Sequence, residues 1–224
     1  AQASGPRKAS LLAVLGVLGG DRALPILRAA LQDGDADAKL AAVRALADWE
    51  TSAPLADLKA VAETATDAKL KALAARGAAR LEALGFDVTG MPNLALGGTA
   101  TNPDGLKADG QGGPPAAAID GDRSTYWDEV DNEKLYQLRV QMRQPAAVRA
   151  IRIIGFQQQS YAPKDFEMVC DDQVVKTVSD APYRENVLMV VLPPTRCTTV
   201  QLNITGSHGP SPAIRELEIY GQAE

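Results

Sequence analysis

The chain has 224 residues, with 23 Lys+Arg against 28 Asp+Glu and a formal net charge of -5. Residues 1–85 hold 11 basic and 10 acidic side chains (+1), and residues 86–224 hold 12 and 18 (-6), so the acid excess lies in the second part. Phosphate backbones and anionic bilayers need clustered positive charge, so neither nucleic acid nor a lipid surface is expected as a partner, whereas a cation is. No apolar run approaches the roughly 20 residues of a membrane span. Leu11–Leu18 is short, stops at Gly19-Gly20 and lacks the pattern of an export signal.

The first 85 residues are rich in Ala and Leu and poor in β-branched residues, which predicts helices near 7–18, 22–32, 36–49, 54–64 and 67–84. Asp21 and Ser52 are plausible N-caps, Pro25 and Pro54 lie near helix starts, and Gly85 sits where a glycine stop belongs. Asp37-Ala38-Lys39-Leu40 returns as Asp67-Ala68-Lys69-Leu70, an offset of 30 residues. Leu24, Leu27 and Leu31, the turn Asp33-Gly34-Asp35, and then Val43-Arg44 and Leu46 resemble a HEAT repeat. The reading is a HEAT-like segment over 1–85, with an ordinary helical bundle as the alternative. Solenoids need about three repeats to cover their apolar faces. Only about two and a half are present, so further repeats or domains of a larger parent chain are expected.

Beyond residue 85 the composition changes to Val, Ile, Thr, Gly and Pro. Residues 86–92 read as a linker, inside a Gly/Pro/Asn/Asp-rich lead-in that extends to 118, and 86–224 reads as the second domain. Short alternating runs predict strands at 135–142, 147–154, 165–170, 173–178, 186–192, 199–205 and 213–220, an all-β sandwich. The two cysteines, Cys170 and Cys197, are either two buried thiols or one disulfide, and spacing alone leaves both open.

The most informative stretch is Ala118-Ile119-Asp120-Gly121-Asp122-Arg123-Ser124-Thr125-Tyr126-Trp127. An Asp-Gly-Asp turn gathers oxygens in a short loop, and hard cations such as Ca²⁺ take six to eight of them. The turn could also be closed by hydrogen bonds alone. Together with Asn93-Leu94-Ala95, with Val148, Ile151 and Ile153, with Pro163 and Phe166, and with the closing run Ala213–Gly221, it resembles the discoidin domains. These are also called coagulation-factor type C domains, and bacterial carbohydrate-binding modules are related to them. The resemblance covers residues 93–221.

It implies an eight-stranded jelly-roll sandwich of the galactose-binding-like type, with a structural Ca²⁺. The ligands carried over by position are the Ala117 carbonyl, the Asp120 carboxylate, Asp122, Thr125, the Arg215 carbonyl and the Glu216 carboxylate. A cation between Glu216 and Asp120 removes the cost of a semi-buried carboxylate. Sugar-binding members use loops at one rim, where an aromatic platform meets polar side chains. The corresponding candidates are His208, Tyr161, Gln157, Gln159, Arg184, Asp128 and Glu129, with Asn132 beside them. An Arg common in sugar binders is replaced by Gln157-Gln158-Gln159, so the constellation is incomplete. Trp127 is expected in the core. The only His lies in a Gly/Pro loop, and Asp120 and Glu216, the best facing carboxylates, suit a cation. The expectation is therefore a non-catalytic glycan-binding module of an extracytoplasmic bacterial protein. A protein-interaction scaffold and a structural accessory domain of a larger enzyme are the alternatives.

Overall fold

The computed structural model describes residues 5–20, 22–110, 112–157 and 160–224, and the chain divides into two compact units at Asp87/Val88. Of the sequence-derived assignments, Asp21 and Gln159 lie outside the described residues.

The first unit holds five helices: α1 (Gly5–Leu18), α2 (Ala23–Ala30), α3 (Ala36–Ala47), α4 (Leu55–Thr64) and α5 (Ala68–Gly85). The repeated aspartates sit at or near the starts of α3 and α5. Asp35 precedes α3 and accepts the Asp37 and Ala38 N–H groups, and Asp67 accepts that of Leu70. Ser52 does not cap α4. Pro54 occupies that position without a side-chain bond, and Ser52 contributes only its carbonyl, to the Leu55 N–H. Leu27, Leu46, Leu58 and Leu81 are fully buried among alanines. With so many small residues, burial depends on backbones approaching closely. A Cβ added at Gly16 would lie 2.5 Å from the Ala45 Cβ, and one at Gly77 would lie 2.5 Å from the Ala47 Cβ. Ala45 and Ala47 are about 200° apart around α3, so that helix packs α1 on one face and α5 on the other. Leu11, Val14, Val17 and Leu18 of α1 stay exposed.

The second unit is antiparallel β: β1 (Thr99–Thr101), a 3₁₀ turn (Pro115–Ala118), β2 (Trp127–Asp128), β3 (Tyr136–Gly155), β4 (Pro163–Cys170), β5 (Gln173–Val178), β6 (Val187–Ser207) and β7 (Ala213–Ala223). Two pairs of expected strands are continuous. The runs 135–142 and 147–154 form β3, and 186–192 and 199–205 form β6. Both bend where their register shifts, between Gln141 and Ala146 opposite Cys197–Thr199 and between Val148 and Ala150 opposite the Pro193-Pro194 stretch, because bulges and missing proline N–H groups relax the ladder. Past the bend the ribbon changes partners. Arg139–Gln141 of β3 pair with β1, and Ala146–Gly155 pair with β7. The second half of β6 pairs with β4, and β4 with β5. This gives the two layers of the expected sandwich, whose core includes Trp127, Leu138, Ile151, Ile153, Phe166, Met168, Leu202 and Ile204. The two-residue strand β2 and the three-residue β1 are too short for alternation to reveal them.

Asn93 fastens the start of this unit to its end. Its side-chain oxygen accepts the N–H groups of Ala95 and Ile219, both at 3.0 Å, and the Leu94 N–H donates to the Ile219 carbonyl at 2.8 Å. Trp127, fully buried on β2 against Ile214 of β7, fixes the loop that precedes it.

Candidate functional site

That loop runs from the 3₁₀ turn to β2 and places its oxygens around one hydroxyl. Thr125 Oγ1 lies 2.9 Å from Asp120 Oδ2, 2.8 Å from the Asp122 carbonyl and 3.4 Å from the Ala117 carbonyl. One hydroxyl carries one proton, so it cannot donate to all three. Asp120 Oδ1 accepts the Asp122 N–H at 2.8 Å, and Gly121 takes a positive φ of 81° at the turn. The Asp122 side chain turns away. Its Oδ1 accepts the Ser124 N–H and hydroxyl at 2.8 and 2.7 Å, which holds its carboxyl below the ordinary range, so only the Asp122 carbonyl joins the cluster.

Glu216 approaches from β7. It is 1% exposed, and neither carboxylate oxygen has a hydrogen-bond partner. Burial, followed by the nearby Asp120 carboxyl, raises it from 4.5 to about 7. Asp120 and the Gly121 N–H act on its protonation without forming a bond of good geometry. A buried carboxylate with no donor is costly, and this one faces another acid. The Arg215 side chain donates to the Arg123 carbonyl, tying β7 to the same loop. Beside the loop lies a cavity of about 430 Å³, lined in part by Ala117, Asp120, Thr125 and Tyr126.

A second constellation starts one residue further on. Trp127 points into the core, while Tyr126, its neighbour, is partly exposed and stacks on Phe156 with ring centroids 4.1 Å apart. Phe156 meets Tyr161 edge-on at 6.0 Å, and the Arg215 guanidinium lies 5.1 Å from the Phe156 ring centre. Neighbouring loops hold this cluster. The Ala213 N–H donates to the Tyr161 carbonyl at 2.7 Å and the His208 N–H to the Ala162 carbonyl at 3.0 Å. A Cβ on Gly209 would strike the Tyr161 ring at 2.6 Å. The Ser211 hydroxyl donates to Asp128 at 2.9 Å. The Tyr136 hydroxyl lies 3.1 Å from both the Val130 and Pro210 carbonyls, joining the 130–133 loop to the 208–211 loop.

The structure therefore brings Tyr161, His208 and Asp128 to one rim. His208 is exposed, with its ring edge-on to Tyr183 at 6.3 Å, and Arg184 is exposed next to Tyr183. Gln157 is exposed with a φ of 42°, and its carbonyl accepts from Ser160. Asn132 is exposed, and its N–H donates to the Pro210 carbonyl. Glu129, named as a ligand candidate at the rim, is instead withdrawn from solvent. It is 1% exposed, one oxygen lies 3.3 Å from the Trp127 indole nitrogen, and the other has no partner. It sits in the period-two position that points inward beside the core, and burial, then Asp104, raises it to about 7. Tyr126, Phe156 and the Arg215 side chain escaped the sequence reading. The signal available was alternation, since Tyr126 and Arg215 are the outward neighbours of buried Trp127 and Glu216.

The model of the F5/8 type C domain matches residues 98–217. Among solved structures, chitosan-binding module 1 of a chitosanase/glucanase from Paenibacillus sp. IK-5 is 21% identical, with a TM-score of 0.50 over 58% of this chain and 99% of that one. Module 2 of the same enzyme, in complex with chitotriose, is 16% identical with a TM-score of 0.50, covering 58% and 100%. The family 32 carbohydrate-binding module of C. perfringens NanJ, in complex with galactose, is 22% identical with a TM-score of 0.48, covering 58% and 98%. No curated protein sequence matches the chain. No helix among the described residues is long and apolar enough to cross a membrane. The chain belongs to the F5/8 type C (discoidin) domain family through the sandwich that carries both constellations.

Proposed function

We propose that the chain is a non-catalytic glycan-binding module of a larger extracytoplasmic protein, with the sugar seated on the rim formed by Tyr126, Phe156 and Tyr161. The observation that carries this reading is the partly exposed stacked pair Tyr126–Phe156 beside Asp128, Ser211 and His208. A sugar presents an apolar face that lies on a ring and hydroxyls that need donors and acceptors, and this rim offers both within one edge of the sandwich. A fold neighbour in complex with chitotriose supports the same class of ligand. The test is a glycan array with the full chain, followed by calorimetric titration of the best ligand. Binding lost on Phe156→Ala supports the reading, and no binding to any glycan removes it.

The acidic loop is read as a structural Ca²⁺ site. The Ala117 and Asp122 carbonyls, the Asp120 and Glu216 carboxylates and Thr125 would hold the ion, with the Arg215 carbonyl as the neighbouring backbone ligand. The unpartnered oxygens of Glu216 and the crowding of three oxygens on one hydroxyl fit a hard cation better than a hydrogen-bonded turn. When bound, the ion supplies the positive charge that Glu216 lacks, and it closes the loop against β7.

A second reading, a protein-interaction scaffold, rests on the first unit. In this reading the helices form a HEAT-like stack, with α3 between α1 and α5. The exposed Leu11, Val14, Val17 and Leu18 then mark the face where another helical pair of a larger chain would pack.

A further inference from the structure

We infer that the rim selects an acidic saccharide, one bearing a carboxylate or a sulfate, and that the Arg215 guanidinium reads its negative charge. This rests on the glycan reading above and names the class of sugar. The register of β7 is the starting point. Ile154 of β3 faces Glu216 and Gly155 faces Ile214, so Arg215 is an extra residue between two paired ones. A bulge of this kind re-aims a side chain, and bulges gather beside functional sites. Ile214 enters the core and Glu216 is buried, while Arg215 between them stays partly exposed. Phe156 follows Gly155 directly, and the Arg215 guanidinium lies over its ring, 5.1 Å from the centre. One nitrogen, Nη1, donates to the Arg123 carbonyl. Nε and Nη2, the two nitrogens of the side-on fork, have no partner among the described residues. Residues 86–224 hold 18 acidic side chains against 12 basic ones, yet no described carboxylate pairs with Arg215. In the same unit Arg139 pairs with Asp172 and Arg196 with Glu224, both at 2.7 Å, and Arg152 pairs with Glu218. Asp128, the acid that shares the rim, is half-buried and accepts the Ser211 hydroxyl at 2.9 Å.

A planar guanidinium offers two parallel N–H groups to a carboxylate or sulfate, and its charge is permanent. The ring beneath Arg215 and its bond to the Arg123 carbonyl already hold the group in place, so little side-chain freedom is lost when an anion arrives. A sugar seated on the rings with an acid group at its edge meets this fork. The guanidinium is partly exposed, so its attraction is screened by water and salt and amounts to a few-fold in affinity. The rings thus supply most of the binding, and Arg215 decides between charged and neutral sugars of the same shape.

The test is a glycan array with the full chain in which uronate and sulfated oligosaccharides are paired with neutral partners of the same skeleton, the methyl esters and the desulfated parents. Calorimetry at low salt then measures the best pair. The acidic member should bind about fivefold tighter than its neutral partner. That ratio should fall to near one in Arg215→Ala, persist in Arg215→Lys, which keeps the charge, and shrink as salt is raised. A preference confined to the uronate arm or to the sulfate arm supports the proposal and identifies the anion. Neutral sugars bound as tightly as acidic ones, or a preference unchanged in Arg215→Ala, overturn it and leave the glycan reading standing. Binding to no glycan removes both. If Arg215→Ala does not fold, the salt dependence of the ratio in the natural chain decides, and a ratio that salt does not change overturns the proposal.

Discussion

The acidic loop and the aromatic rim are adjacent at Thr125 and Tyr126, yet they are built in opposite ways. Most of the loop's oxygens come from a single stretch, Ala117 to Thr125, and Glu216, with the Arg215 carbonyl beside it, comes from β7. The rim takes Tyr126 from one loop, Phe156 and Tyr161 from a second, and is braced by a third through Gly209 and Ser211. A charge problem defines the loop, because a buried carboxylate has no donor. A partly exposed ring surface defines the rim. Changes in the loop should therefore act through ions and protons, and changes in the rim through ligand contact.

The largest expected effect is on the loop. Glu216→Gln should weaken Ca²⁺ binding on the order of a hundredfold, since it removes a full charge from the ligand set. In chelator at pH 8 the same variant should melt higher than the natural chain, because it no longer buries an unpaired carboxylate. Calorimetric Ca²⁺ titration and melting curves measure the two effects. A variant that binds Ca²⁺ normally would detach Glu216 from the site.

Next in size is the rim. Phe156→Ala should reduce glycan affinity by at least about tenfold while leaving the Ca²⁺ titration unchanged, as expected when one well-packed aromatic anchor is removed. Equal loss of both activities would merge the two regions into one.

The pH dependence of the chelated protein is the third contrast. Glu216 and Glu129 are raised from 4.5 to about 7 by burial, so the folded state holds their protons more tightly than the unfolded state does. Their contribution to stability is full below about 4.5 and is lost as pH rises through about 7. Melting temperature in chelator should therefore fall across that window. Saturating Ca²⁺ should abolish the part that belongs to Glu216, and Glu129→Gln should abolish the other part with or without Ca²⁺. A flat profile in chelator would show that neither carboxyl is desolvated.

The smallest effect is expected at Arg215, whose side chain borders both regions. Arg215→Ala should change glycan affinity by only a few-fold, the size of a partly exposed cation–π contact. Ca²⁺ binding, which would use the backbone carbonyl, should be preserved.

This contrast also explains what could be read from the sequence. The acidic turn was legible because its residues are local, with Asp120, Gly121, Asp122 and Thr125 held in one loop before a core Trp. The sandwich was legible because its strands alternate, as the burial pattern of β3 does over most of its length. The continuity of β3 and β6 was not, since prolines and bulges look like strand ends while the chain in fact bends through them. The rim was legible only in part. Tyr161, His208 and Asp128 were within reach, but the stack of Tyr126 on Phe156 joins positions 30 residues apart, and no local pattern announces it. Glu129 was read as a rim candidate, and its place beside the core could not be seen because β2 is too short for alternation to show that Glu129 turns inward beside Trp127.

The glycan array probed in parallel with the natural chain and with a Tyr126→Ala/Phe156→Ala variant bears most directly on the function. The natural chain should bind at least one class of saccharide, and the variant, melting at a similar temperature with its Ca²⁺ response intact, should bind none. Retained binding by a folded variant would contradict the placement of the ligand on these rings.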